Sequence, residues 1–246
     1  MSHDSFYTTM AGLQSINARM DALAGNLANA QTNGYQAIQV MAEAAPYSGG
    51  NAPAGADVVA LSPGPDTTAG ALQHTGQSLD VGLGGDAWLE VQTNSGPMLT
   101  RNGALQISAN GLLADSNGNP VLSTTGEPIS LPQLSSLTIG SDGTISGISV
   151  SQPGQSQTYG QINLATAPAG SLKDIGNSLY QPSNPNQIQA ASNGSVAQGY
   201  LNGSNVNSVQ GMVALIDASR SYQIQSQLLK TQSSNSTSLN TLLAQG

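Results

Sequence analysis

No cysteine occurs among the 246 residues, so a disulfide framework, a thiol nucleophile and a thiolate metal site are all excluded. Bases are few: five Lys and Arg stand against thirteen Asp and Glu, for a net charge of −8. A surface of that sign disfavours nucleic acid and anionic membranes. No run approaches the roughly 20 consecutive apolar residues of a membrane-spanning helix. The first positive charge is Arg19, and polar residues interrupt every early apolar run, so no cleaved Sec-type signal is expected. The expectation is a soluble protein, or one exported by a route without a cleaved signal. Only one Phe and one Trp are present, and charged residues make up 7% of the chain. Ser, Asn, Gln, Thr and Gly fill the remainder, beside a modest 38% of hydrophobic residues. Such a composition leaves a limited internal core and suggests that part of the chain orders only on assembly.

The charge is unevenly placed. Up to residue 35 the charged residues are Asp4, Arg19 and Asp21, and from 205 onward they are Asp217, Arg220 and Lys230. The two ends together are neutral. Residues 36–204 hold ten acids against only Arg101 and Lys173, and therefore carry all of the net charge. Neutral ends can crowd against copies of themselves without accumulating repulsion.

Apolar residues recur seven apart at Phe6, Leu13, Met20 and Leu27, with Ile16, Leu23 and Ala30 beside them. This spacing predicts a helix with a coiled-coil-like seam, started by Asp4 or Ser5 and stopped at Thr32-Asn33-Gly34. About 28 residues at ~1.5 Å each make a rod of roughly 42 Å. A second helix is predicted from a cap at Asn205 or Asn207 to about Leu243. Leu215, Tyr222, Leu229 and Leu243 share its seam, which Gln232, Ser233, Ser234 and Ser236 interrupt. Periodicity leaves open whether these seams pack within one chain or between copies.

Between the helices, Pro46, Gly49-Gly50, Pro53, Gly55, Pro63-Gly64-Pro65 and Gly70 mark an extended connector. Short apolar runs separated by turns follow from Asp80, among them Trp88–Val91, Met98–Arg101, Leu105–Ile107, Leu137–Ile139 and Gln161–Thr166. With Asn94-Ser95-Gly96, Asn102-Gly103, Asn110-Gly111, Asn117-Gly118 and Asp142-Gly143 between them, they read as hairpins. The expected fold class is α+β, with long N- and C-terminal helices pairing as a coiled-coil-like bundle and a central all-β domain inserted between them. The expected segments are an N-terminal helix of the assembly core at 1–35, an extended connector at 36–78, a β-rich body at 79–181, a return connector at 182–204 and a C-terminal helix of the core at 205–246.

Catalytic constellations are weak. Asp86 and Glu90 are the nearest pair of carboxylates that a glycan hydrolase would need, but ten acids in this region make such proximity commonplace. Asp115, Asn117 and Asn119 alternate like calcium-loop ligands yet lack the closing bidentate Glu, so turn chemistry explains them better. His3 and His74 stand apart, outside any HExxH pattern, which argues against a zinc site or a triad. Gly82, Gly84 and Gly85 precede a strand and lack the Lys of a phosphate loop. No catalytic, cofactor-binding or metal-binding residue is assigned.

The motifs at the two ends carry a resemblance. Asn26-Leu27-Ala28-Asn29 with Thr32, Gly34 and Tyr35, and Ser204-Asn205-Val206-Asn207 with Met212, Val213, Leu215, Ile216, Arg220 and Tyr222, resemble the terminal signatures of the bacterial flagellar rod and hook family of axial proteins. Gly76, Leu79-Asp80, Gly85-Asp86 and Thr100–Gly103 are similar to its shared middle region. The stretch Asp86–Gln92, with Glu127-Pro128-Ile129 and Asp142–Ser146, looks most like the proximal-rod members, with distal-rod and hook-type subunits as the alternatives. Gln36, and Gln210-Gly211 before Met212, depart from the family pattern and put individual ion pairs between subunits in doubt.

The resemblance implies a non-enzymatic structural subunit of the basal-body rod. Such a subunit lies in the periplasmic space, leaves the cell through the flagellar type III export apparatus without a cleaved signal, and inserts into no membrane. It polymerises through its terminal helices with itself and other rod subunits, and transmits torque for motility. Leu13, Met20, Leu27, Leu215, Tyr222 and Leu229 are then expected to pack between subunits, with an internal core as the alternative. Asn26, Asn29, Asn205 and Asn207 are expected to make helix-end hydrogen bonds that fix the chain's entry and exit, with ordinary capping as the alternative. From a different class, the competing reading is a secreted β-rich glycan hydrolase using Asp86 and Glu90.

Overall fold

The structure, a computed structural model, describes residues 2–40, 42–46, 56–60, 64–168 and 170–243. The chain divides into two compact units. One comprises Met1–Leu27, Ile38–Pro63 and Asn207–Gly246, and the other Ala28–Ala37 and Gly64–Val206.

The first unit contains helix α1, Ser2–Ala28, and helix α2, Ser208–Leu243. Strands Ala42–Pro46 and Ala56–Ala60 pair antiparallel in the segment read as connector, while 47–55 and 61–63 lie outside the described residues. Good helix formers such as Ala, Leu, Met and Gln recur along both helices, and no proline interrupts either run.

The expected bundle is not what the chain forms. The described residues contain two long helices, and these do not enclose an apolar seam. Among the described side chains, only Asn26 of α1 and only Ala218 of α2 are buried. Where the helices come together, α1 offers Gly12: a Cβ there would lie 3.0 Å from the side-chain amide of Gln225 on α2. Glycine against an amide is not knobs-into-holes packing. Heptad spacing fixes which residues share a stripe, but two helices alone cannot cover that stripe on all sides. The seam positions Phe6, Leu239 and Leu243 lie outside the described side chains.

The β-rich expectation fits in part, since strand pairing runs from Leu72 to Asn202 in the second unit but is divided among several sheets. The largest has six antiparallel strands in the order Leu172–Gly176, Leu179–Pro182, Gly96–Thr100, Trp88–Thr93, Leu164–Thr166 and Gln189–Ala190. The alternation of its side chains buries both faces. Leu89, Val91, Met98, Leu164 and Leu179 enter one core cluster, while Trp88, Leu99, Ala165, Leu172 and Tyr180 form another. A meander of Leu134–Ile139, Thr144–Ser149 and Ser156–Gln161 adds Ile139 and Ile145 to the first cluster. Two shorter pairs, Val81–Gly84 with Ser195–Gln198 and Leu72–His74 with Tyr200–Asn202, join the start of this unit to its end.

Candidate assembly surface and asparagine junction

On α2 the Leu215, Tyr222 and Leu229 stripe is half-buried at Leu215 and Leu229, and Tyr222 is exposed. Val209, Val213, Ile216, Ile224 and Leu228 recur at spacings of three, four or eight on another side of the helix, with Met212 beside them. All six are exposed, Val209 by 69% and Ile224 by 64%. Among the described side chains of α2, the Leu215 seam singled out from the sequence is thus less exposed than the Val209–Leu228 row. On α1, Leu13, Met20 and Leu27 are all half-buried. Arg220 of the C-terminal motif is exposed.

Of the motif asparagines, Asn26, Asn205 and Asn207 bond backbone groups and Asn29 bonds side chains. Asn26 brackets one residue of its own unit: its Oδ1 accepts the Ile38 N–H at 2.8 Å and its Nδ2 donates to the Ile38 carbonyl at 2.9 Å. Asn207 is the N-cap of α2, its Oδ1 accepting the N–H groups of Val209 and Gln210 at 3.1 Å each. Those are the second and third helical positions, whose donors have no partner inside the helix.

In the β unit, Asn205 is not a cap. Its Oδ1 accepts the Ala37 N–H at 2.6 Å, and its Nδ2 donates to the carbonyls of Asp66 at 2.9 Å and Thr68 at 3.0 Å. The Ser204 hydroxyl accepts the Val206 N–H at 3.2 Å, closing a local turn. Asn29 accepts the Thr32 hydroxyl at 3.1 Å and also bonds the Tyr35 phenol. Burial, with Asp174 nearby, pushes Tyr35 up to about 12, and the Asn29 bond opposes that shift.

Segment 34–37 lies on the body through Gly34. Its N–H donates to the Asn202 carbonyl at 2.8 Å, and its φ is +70°. A Cβ there would come within 2.2 Å of the Asn102 nitrogen, so only glycine serves both the left-handed turn and the close approach. Asn202 was not assigned from the sequence beyond its Asn-Gly turn. The signal was the run of asparagines at 202, 205 and 207, a residue type suited to imitating backbone groups.

The residues weighed for chemistry have structural partners. Glu90 accepts the Asn163 side-chain amide at 2.6 Å. Asp86 is exposed, and its charge acts on Arg101. Asp115 is buried, and its carboxylate accepts the backbone N–H groups of Asn117 and Asn119 at 2.9 and 2.8 Å. The Asn119 amide donates to it as well, at 2.9 Å. Those N–H donors aim at the oxygens that a cation would need. His74 meets Tyr200 in a tilted ring contact, with centroids 4.8 Å apart and the planes at 54°.

The arrangement combines exposed apolar helix surface with asparagine-bracketed joints, and comparison with known proteins gives it a context. The description "Flagellar basal body rod FlgEFG protein C-terminal" matches residues 197–242, and "Flagellar hook protein FlgE/F/G D1 domain" matches residues 83–147. The chain is 33% identical over 252 aligned positions to the flagellar basal-body rod protein FlgF of Escherichia coli (strain K12), covering 99% of each protein. It is 32% identical over 252 positions to FlgF of Salmonella typhimurium, again with 99% of each covered. With the flagellar basal-body rod protein FlgG of Bacillus subtilis it shares 30% identity over 251 positions, covering 92% of this chain and 94% of the relative. Full-length similarity at this level places both terminal motifs and the β unit in one shared framework, and the chain belongs to the family of flagellar basal-body rod proteins.

Proposed function

We propose that the chain is a structural, non-enzymatic subunit of the bacterial flagellar basal-body rod, in its proximal part, which polymerises through its terminal helices to transmit torque. The observation that carries this reading is the uncovered apolar side of α2, formed by Val209, Met212, Val213, Ile216, Ile224 and Leu228. Burying one such side chain contributes about 1.5–3 kcal/mol, so neighbouring subunits that cover the row gain a large driving force. Helical assembly from one repeated heterologous contact has no natural end and suits a rod. The neutral ends fit this role, because like charges do not accumulate along the contact.

Other rod subunits and further copies of this chain are the partners, and the flagellar type III apparatus is the export route to the periplasmic rod. The proximal position is supported by the coverage of FlgF relatives, which reaches 99% on both sides. The 30% identity to an FlgG supports the distal rod as the second reading. Leu13→Asp or Leu215→Asp, expressed in a strain lacking this protein, is expected to block rod assembly and motility while the β unit stays folded. Normal motility in both variants would defeat the reading. Imaging intact basal bodies at side-chain resolution separates proximal from distal placement. Asp86→Asn combined with Glu90→Gln tests the hydrolase alternative: loss of a glycan-cleaving activity with motility intact favours the enzyme.

A further inference from the structure

Arg101 is enclosed in the β unit, with 1% of its surface exposed. Its guanidinium lies over the Trp88 ring, 4.7 Å from the centroid, a cation–π contact in a desolvated setting. Nη2 donates to the Gly85 carbonyl at 3.3 Å. Nε and Nη1, both buried, have no protein partner.

Gln36 is fully buried in the same unit. Its Nε2 donates to the carbonyls of Gly34 and Tyr35 at 3.3 and 3.2 Å, which orients the amide. That orientation leaves Oε1 as an acceptor with no partner. Tyr180 links the two residues. Its hydroxyl accepts the Gln36 backbone N–H at 2.8 Å, its ring meets Trp88 edge-on at 5.1 Å, and Arg101 acts on it electrostatically. The hydroxyl keeps its own hydrogen to donate. At the edge-to-face pair of Trp88 and Tyr180, the protein therefore sets orphaned donors of a cation against one ring and, bonded to the hydroxyl of the other, the residue whose amide oxygen is an orphaned acceptor.

Buried polar groups are satisfied in nearly every native protein, by protein atoms or by ordered water. The ligand at this place must accept from the guanidinium and donate to the amide oxygen. An anion has no hydrogen for Gln36 Oε1, and a second cation would face the guanidinium. Water does both. We propose that one ordered water bridges Arg101, Gln36 and Tyr180, so that segment 34–37 is held on the β unit through a hydrated joint. Three partners match the usual number for a buried water.

A crystal structure of the full chain, at a resolution that shows ordered water, tests this directly. The expected result is one solvent peak about 2.7–3.2 Å from both Arg101 Nε or Nη1 and Gln36 Oε1. A direct Arg101–Gln36 bond with no peak overturns the proposal, as does an anomalous signal at that place in crystals soaked in bromide. Unfolding by urea gives an independent reading through Gln36→Leu, Tyr180→Phe and the double variant. If the groups share one water, the double variant loses less midpoint than the two single losses added together. Additive losses overturn the shared bridge.

Discussion

Asn202 and Leu83 form a side-chain copy of a β-ladder rung: Asn202 Oδ1 accepts the Leu83 N–H at 2.6 Å while its Nδ2 donates to the Leu83 carbonyl at 2.9 Å. Leu83 lies in Val81–Gly84, whose partner strand is Ser195–Gln198, and both residues are 1% exposed. Asn202 thus satisfies two buried backbone groups of a short strand. Asn202→Ala leaves both unpaired, and an orphaned buried group costs about 1–3 kcal/mol. The expected loss is about 2–4 kcal/mol, read as a lower urea midpoint with the slope unchanged. Asn202→Asp keeps the acceptor but turns an oxygen on the Leu83 carbonyl, so it also loses stability.

Much of this was legible in the sequence, and what was missed has a common cause. Turn residues announced the hairpin from Trp88 to Thr100, because Gly96, at a φ of +107°, sits where only glycine is unstrained. Residue type and position offered Asn205 or Asn207 as the cap of α2, and Asn207 fills that place. Asn205 has the same residue type and lies two positions earlier, yet it accepts the Ala37 N–H, 168 positions away, and donates to the carbonyls of Asp66 and Thr68. Local pattern does not reveal such a partner. The helical seams were legible as spacing, but spacing does not say what covers Leu215 or leaves Ile224 open.

Asn205 and Asn207 separate cleanly by experiment. Asn207→Ala removes the acceptor for the Val209 and Gln210 N–H groups and is expected to cost about 1 kcal/mol, seen as helical signal lost at a lower temperature in far-ultraviolet circular dichroism. Asn207→Ser is expected to restore most of it. Asn205→Ala is expected to lower the stability of the β unit, followed by the Trp88 fluorescence, and to leave the start of α2 intact. Equal effects of both substitutions on the helix would contradict the assigned roles.

Alkaline stability follows from the buried phenols. Burial is the first cause raising both Tyr35, to about 12, and Tyr180. A folded-state value above the unfolded one means that the folded protein holds the proton more tightly. The associated stability is complete below the ordinary value of 10.0 and disappears as pH rises through about 12. The urea midpoint is expected to fall across this interval. Tyr35→Phe makes the fall shallower, with the Tyr180 part remaining. A Tyr35→Phe profile that parallels the parent protein's would remove Tyr35 as a cause.

The open side of α2 gives the sharpest division between folding and assembly. Ile224 is 64% exposed and Val213 56%, so Ile224→Glu or Val213→Glu removes little that is buried in the single chain. Exposed substitutions of this kind usually shift stability by about 0.5 kcal/mol or less. Between subunits the same change places a carboxylate where an apolar side chain would be enclosed, and an unpaired buried charge is strongly disfavoured. Each variant is therefore expected to unfold at the parent temperature as a monomer yet fail to restore rods or motility. Ile224→Leu, which keeps the apolar surface, is expected to restore both. If Ile224→Glu and Val213→Glu assemble normally, this side of α2 faces solvent in the rod, and the half-buried stripe of Leu215 and Leu229 becomes the remaining contact on this helix.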